Sequence, residues 1–321
     1  MTLKPSIKSG APALILASAV WLCVSKASTH AEDDRRFAPK EAADAIDSRI
    51  AGKSKSTDWL VYTDNLHGFR ENEIFWKRNS NCWAADLDLT GVSPFNDPKP
   101  YEHGFGVAEA VTVISPWHVI GTTHSFPAVG EYLVLVDNDS NVITPKPVII
   151  ASARLKASGN AYPDISIALL DSPLPDSITP VKVLPDDWKS YLGNPRGLPV
   201  LGFDIHEHAI VTEIHVFDFE HEPGVFRNFM QAPTNRQRLE FYKEVEANDS
   251  ANPAFLILDN QPVLITLWSS GGPGAGNSLV RLKREINQVM GDLFDTHNPD
   301  QAGSSPALRE FDMSSIYTPI R

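Results

Sequence analysis

Residues 246–268, EANDSANPAFLILDNQPVLITLW, carry the reading that decides the fold. Two apolar runs, AFLIL and PVLITL, flank Asp259 and Asn260. Each run is too short for a helix and rich in Leu, Ile and Val, and the polar pair between them is a turn signal. The stretch therefore predicts two strands joined by a tight turn. Similar runs recur upstream: VAEAVTVI (107–114), EYLVLVD (131–137), KPVIIASARL (146–155), DISIALLD (164–171), LPVLGFD (198–204) and HAIVTEIHVFDF (208–219). Short strands at even spacing predict an antiparallel sandwich or barrel, and a barrel also hides its sheet edges. The 25 prolines and 19 glycines agree with short elements and many turns. Only residues 277–294, NSLVRLKREINQVMGDLF, have strong helical spacing. Leu279, Leu282, Ile286, Val289 and Leu293 make one apolar stripe, with Asn277 or Ser278 as its cap. The tail ALREFDMSSI (307–316) is expected to return as an edge strand.

The chain has 321 residues, 42% of them apolar, enough for a sizeable core. Its start has the order of a secretory signal: Lys4 and Lys8, then APALILASAVWLCV (11–24), then small residues with cleavage after Ala27 or Ala31. That run is shorter than the ~20 residues of a membrane span. The expectation is a secreted or periplasmic protein with no stable membrane insertion once residues 1–31 are removed. Cys23 leaves with the signal, so Cys82 stands alone and reads as a small buried apolar residue beside Trp83. Residues 32–80 are charged and Ala-rich at first, then aromatic without period. They read as a mobile or partly helical, propeptide-like leader.

A net charge of −12 speaks against a nucleic-acid surface, since phosphates would be repelled, and no nucleic-acid partner is expected. The chain has no H-E-x-x-H, no Walker loop and no dinucleotide fingerprint, so no cofactor is expected. His206 and His208 share one face of a strand at period two, with His215 and His221 nearby, but no third ligand follows at a fixed spacing. They read as surface or interface histidines, and no metal is expected.

Three segments bear chemistry. ISPWHVIGTTHS (114–125) is a strand, a turn at Pro116, and a second apolar stretch ending in His124. PDISIALLDSPLP (163–175) opens an apolar strand with Asp164. EANDSANPAFLI (246–257) sets Ser250 in a polar turn before a buried strand. Serine hydrolysis needs a nucleophile, a base near neutral pKa, a carboxylate to orient that base, and N–H donors for the oxyanion. The three segments resemble, in type and order, the His, Asp and Ser motifs of the trypsin-like serine peptidases, in a disulfide-free bacterial form. VKVLPDDW (181–188) and VLGFD (200–204) resemble that family's linker and the opening strand of its second barrel.

The resemblance implies an all-β fold of two packed antiparallel six-stranded β-barrels with a C-terminal helix. The peptidase domain would cover residues 81–295, split near 175–190, with 296–321 as a tail. It implies His124, Asp164 and Ser250 as triad, and the N–H groups of Asn248 and Ser250 as oxyanion donors. Trp268, Ser269 and Gly271 would bind a polypeptide substrate. The pocket floor, six residues before the nucleophile, would be Glu244, with Glu246 as an alternative, and an acidic floor favours a basic substrate residue. Asn248 and Ala251 stand where the family has glycine. Asn tolerates positive φ better than other side chains. The rival readings are a degenerate binding protein of the same fold and a serine esterase.

Overall fold

The computed structural model describes residues 36–53, 57–62, 76–94, 110–157 and 161–320, and these are mostly β-strand with a helix near the C-terminus. The expected signal peptide, its cleavage sites and Cys23 lie outside the described residues, as do residues 63–75 of the leader and 107–109 of the first run. Helix α1 (Ala38–Ile50) precedes β1 (Leu60–Tyr62) and β2 (Trp76–Arg78), which pair antiparallel. Strands β3 (Thr112–Ser115), β4 (His118–Gly121), β5 (Ile149–Arg154) and β6 (Ser166–Leu170) form an antiparallel sheet in the order β3-β4-β6-β5. The chain leaves this sheet through residues 171–181. It continues as β7 (Lys182–Val183), α2 (Lys189–Leu192), β8 (Pro199–Phe203), β9 (Ala209–Glu222), β10 (Val225–Gln231) and α3 (Arg236–Leu239). Strands β11 (Pro253–Leu258), β12 (Gln261–Leu267) and β13 (Ala275–Asn277), helix α4 (Lys283–His297) and strand β14 (Arg309–Glu310) complete it.

Eight strands make the larger sheet, ordered β13-β10-β9-β8-β11-β12-β7-β14. Among the described residues, strand pairing closes neither sheet into a barrel. Strand β13 nevertheless approaches the end of β12, where Ser270 bridges Ala275 and the Ser269 N–H donates to the Ala275 carbonyl at 2.8 Å.

The predicted hairpin forms between β11 and β12. Leu258 pairs with Gln261 across Asp259 and Asn260, whose φ values are 48° and 57°. Two left-handed residues match the twist of flanking strands, and Asp and Asn are the side chains that accept that region. Every residue of β11 is buried, because β8 and β12 flank it while α1 packs against it. The tail returns as expected: β14 lies parallel to β7 at the sheet edge.

Of the two alternatives for the leader, mobile or partly helical, residues 38–50 take the helical one. Ala38, Ala42, Ala45, Ile46 and Ile50 of α1 are buried in the core, and Arg238 ties the helix to β9 through Asp47 and the buried Glu213. One expectation is corrected: the C-terminal helix starts later than its apolar stripe. Asn277 is paired in β13 with Arg227, and the Ser278 hydroxyl donates to Asp218 at 3.0 Å, so neither caps. Residues 279–282 form a 3-10 turn, and the buried stripe of α4 is Ile286, Met290 and Phe294.

Cys82 is buried as expected, and burial pushes its thiol up to about 11. Among the described residues, no helix is long and apolar enough to cross a membrane.

Candidate active site

Strand β4 pairs antiparallel with β6 so that Gly121 faces Ser166. His124 follows Gly121 by three residues, and Asp164 precedes Ser166 by two. One register therefore sets base and carboxylate at the same end of the four-stranded sheet. A 3-10 turn over Thr123–Ser125 carries the imidazole, steadied by a 2.7 Å bond between the Thr122 and Ser125 hydroxyls. Gly121 is required here, since a Cβ would lie 2.8 Å from the Phe126 ring.

His124 Nδ1 is 2.5 Å from Asp164 Oδ2, and its backbone N–H donates to Asp164 Oδ1 at 3.2 Å. His124 Nε2 is 2.8 Å from Ser250 Oγ. Ser250 comes from the other sheet, three residues before β11. An ionised carboxylate only accepts, so Nδ1 bears the hydrogen. Nε2 then offers a lone pair to the serine hydroxyl. The site is open, with the His124 side chain 51% exposed.

The turn before β11 has an unusual backbone. Asn248 has φ 86° and Ala251 has φ 70°. Between them, buried Asp249 braces the loop: its Oδ1 accepts from Ile205 N–H at 2.8 Å and its Oδ2 from Glu246 N–H at 2.7 Å. Burial raises the pKa of this carboxyl. The Ala251 N–H donates to the Trp268 carbonyl and the Trp268 N–H to the Asn252 carbonyl, each at 2.9 Å. The N–H groups of Asn248 and Ser250 meet no acceptor among the described residues. Two free donors beside a nucleophile suit a developing oxyanion.

The four expected substrate contacts differ in their placement. Ser269 and Gly271 do line the segment beside this turn, and a Cβ on Gly271 would come within 2.9 Å of the Val245 carbonyl. Trp268 is corrected: it is fully buried, its indole N–H donates to the Phe203 carbonyl at 3.0 Å, and a Cβ on Gly202 would lie 2.6 Å from its ring. It is a core residue and offers no face to a substrate. Glu244 is also corrected. Val245 is buried and doubly bonded to Gly272, at 2.7 and 2.9 Å, so its exposed neighbours Glu244 and Glu246 point the other way, into solvent.

His206, His215 and His221 are exposed, and His208 alone of the four turns inward. His208 Nδ1 is 2.8 Å from Asp204 Oδ2, which also accepts from Lys243 Nζ at 2.8 Å. Burial opposes the charge on Asp204, yet Lys243 and His208 hold its pKa below the usual carboxylate range. No group of three or more metal-binding side chains occurs among the described residues. Asp204 and Lys243 support the loop around Asp249, and nothing in their sequence spacing marks them.

No protein-family model matches this chain, and no curated protein matches it either.

Proposed function

We propose that the chain is an exported serine endopeptidase of trypsin-like architecture. The observation that carries the reading is the continuous bond from Asp164 through His124 to Ser250, drawn from two sheets and three distant segments. The fold fits this reading. Strands β8 to β13 run in the order β13-β10-β9-β8-β11-β12, and the contact of Ser270 with Ala275 brings the two ends together, as in a six-stranded barrel. On this reading the four-stranded sheet, extended by the bridges of Val92 with Thr112 and Tyr132 with Val148, corresponds to the first barrel.

In this mechanism Ser250 Oγ attacks the scissile carbonyl while His124 Nε2 takes its proton. Asp164 holds the imidazole in the required tautomer and stabilises its cation. The oxyanion receives the N–H groups of Asn248 and Ser250. His124 then protonates the leaving amine, and water hydrolyses the acyl-enzyme by the same path in reverse.

The test is labelling with a fluorophosphonate probe. Wild type should label at Ser250, whereas Ser250→Ala and His124→Ala should not. Asp164→Asn should lower peptide turnover by about 10⁴, the usual cost of the wrong tautomer. Folded wild type that fails to label would overturn the reading in favour of a binding protein of this fold. Labelling with cleavage of short esters alone would make it an esterase.

A further inference from the structure

We infer that Arg227 determines specificity at this site by receiving a carboxylate of the peptide substrate. The inference rests on the endopeptidase reading for its location. Arg227 lies on β10, half-buried, and its Nη2 donates to Ser269 Oγ at 3.1 Å and to Ser270 Oγ at 2.7 Å. The guanidinium carbon sits 5.5 Å from the centre of the Phe229 ring. No carboxylate pairs with it among the described residues, and its Nε is buried without an acceptor. Among the described residues, Arg49 pairs with Asp86, Arg238 with Asp47 and Glu213, and Arg281 with Asp218, while Arg78 is bonded to the carbonyls of Val136 and Asp137. Arg227 instead faces two neutral hydroxyls.

Its position gives the unpaired charge a meaning. Ser269 and Ser270 directly follow Trp268, whose backbone is bonded on both sides to the turn that carries Ser250. The guanidinium is therefore fixed one and two residues beyond the segment that touches the nucleophile turn. Ser270 is exposed, so the charged end is open to a bound chain. Phe229 and the two hydroxyls hold the planar group without neutralising it, and a planar fork of donors matches a carboxylate. Glu244 and Glu246 are exposed, and neither pairs with Arg227 among the described residues.

The experiment uses the Ser250→Ala protein, which leaves peptides intact, and reads binding by calorimetric titration. N-acetylated, C-amidated hexapeptides carry Glu or Gln at each position in turn. A third set carries Gln only and ends in a free carboxylate. Binding should be about 10- to 100-fold tighter with Glu at one position, as for a charge-assisted bond. Arg227→Gln should abolish the difference and Arg227→Lys should keep part of it. A preference for the free terminus, lost in Arg227→Gln, would support the site and assign the carboxylate to a chain end. Equal affinities, or no measurable binding of any peptide, would overturn the inference. If Arg227→Gln lacks a thermal transition, Ser270→Ala is read instead, with a several-fold loss of the Glu preference expected and an unchanged preference counting against. Binding needs no reactive serine, so failure of fluorophosphonate labelling counts against the hydrolase reading separately.

Discussion

At Asn248 the backbone turns to φ 86°, a region that costs most L-residues about 1–2 kcal/mol. Glycine and asparagine are the residues that enter it readily, so this turn is reached without a glycine, and the proposed mechanism has its N–H receive the oxyanion. Asn248→Gly should therefore retain the rate of fluorophosphonate labelling within about threefold. Asn248→Val, branched at Cβ, should slow it by about tenfold or more while circular dichroism stays unchanged. Equal rates in both variants would mean that this N–H takes no part. The three side chains that the fold brings together were legible because each sits in a local pattern: a strand before His124, a strand after Asp164, a polar turn before a buried strand at Ser250. Glu244 was not legible in the same way. Counting six residues back fixes a position along the chain, but the bonding of Val245 to Gly272 decides which face each neighbour presents. Arg227 gave no signal, because the serines that hold it lie more than forty residues away in sequence.

The packing of α4 on the four-stranded sheet encloses a second histidine. His118 on β4 is fully buried, with Nδ1 2.8 Å from Ser115 Oγ and its ring 6.4 Å from that of Phe294. Burial lowers its pKa to about 4. An unfolded histidine titrates near 6.5, so protonation favours the unfolded chain. The folded state loses no stability from this group above about pH 6.5, and loses it progressively as pH falls toward 4. Between pH 7 and pH 5, wild type should lose about 2 kcal/mol more unfolding free energy than His118→Gln, measured by urea titration at both values. Equal losses would show that His118 titrates alike in the folded and the unfolded chain. The element carrying Phe294 was legible from its apolar spacing, but its start was not. Sheet pairing of Asn277 and the bond from Ser278 to Asp218 are tertiary events, and they displaced a cap that local sequence favours.

Across the molecule, α1 connects parts that the sequence reading held separate. Three of its five buried residues are alanines, whose small side chains raise little hydrophobic signal among the surrounding charges. In the fold they allow the helix to approach β8 and β11, the strand that follows Ser250, and Ile46 and Ile50 enter the main core. The helix is also tied at both ends. Glu41 accepts from the Asp259 N–H and the Tyr317 hydroxyl, while Asp47 takes two bonds from Arg238. Burying the two isoleucines alone contributes about 3–6 kcal/mol, a large share of the 5–15 kcal/mol by which a domain is stable. Arg238 would further lose one of two carboxylates, next to a Glu213 side chain that is 1% exposed. A chain beginning at residue 53 should therefore lose its cooperative thermal transition or melt more than 10 °C below one beginning at residue 32, and should lose fluorophosphonate labelling with it. A removable propeptide predicts the reverse: an unchanged transition and labelling at least as fast. Comparing these two chains by calorimetry and labelling decides whether α1 is part of the working molecule, because a helix that supports β11 from behind cannot leave without loosening the turn that holds Ser250.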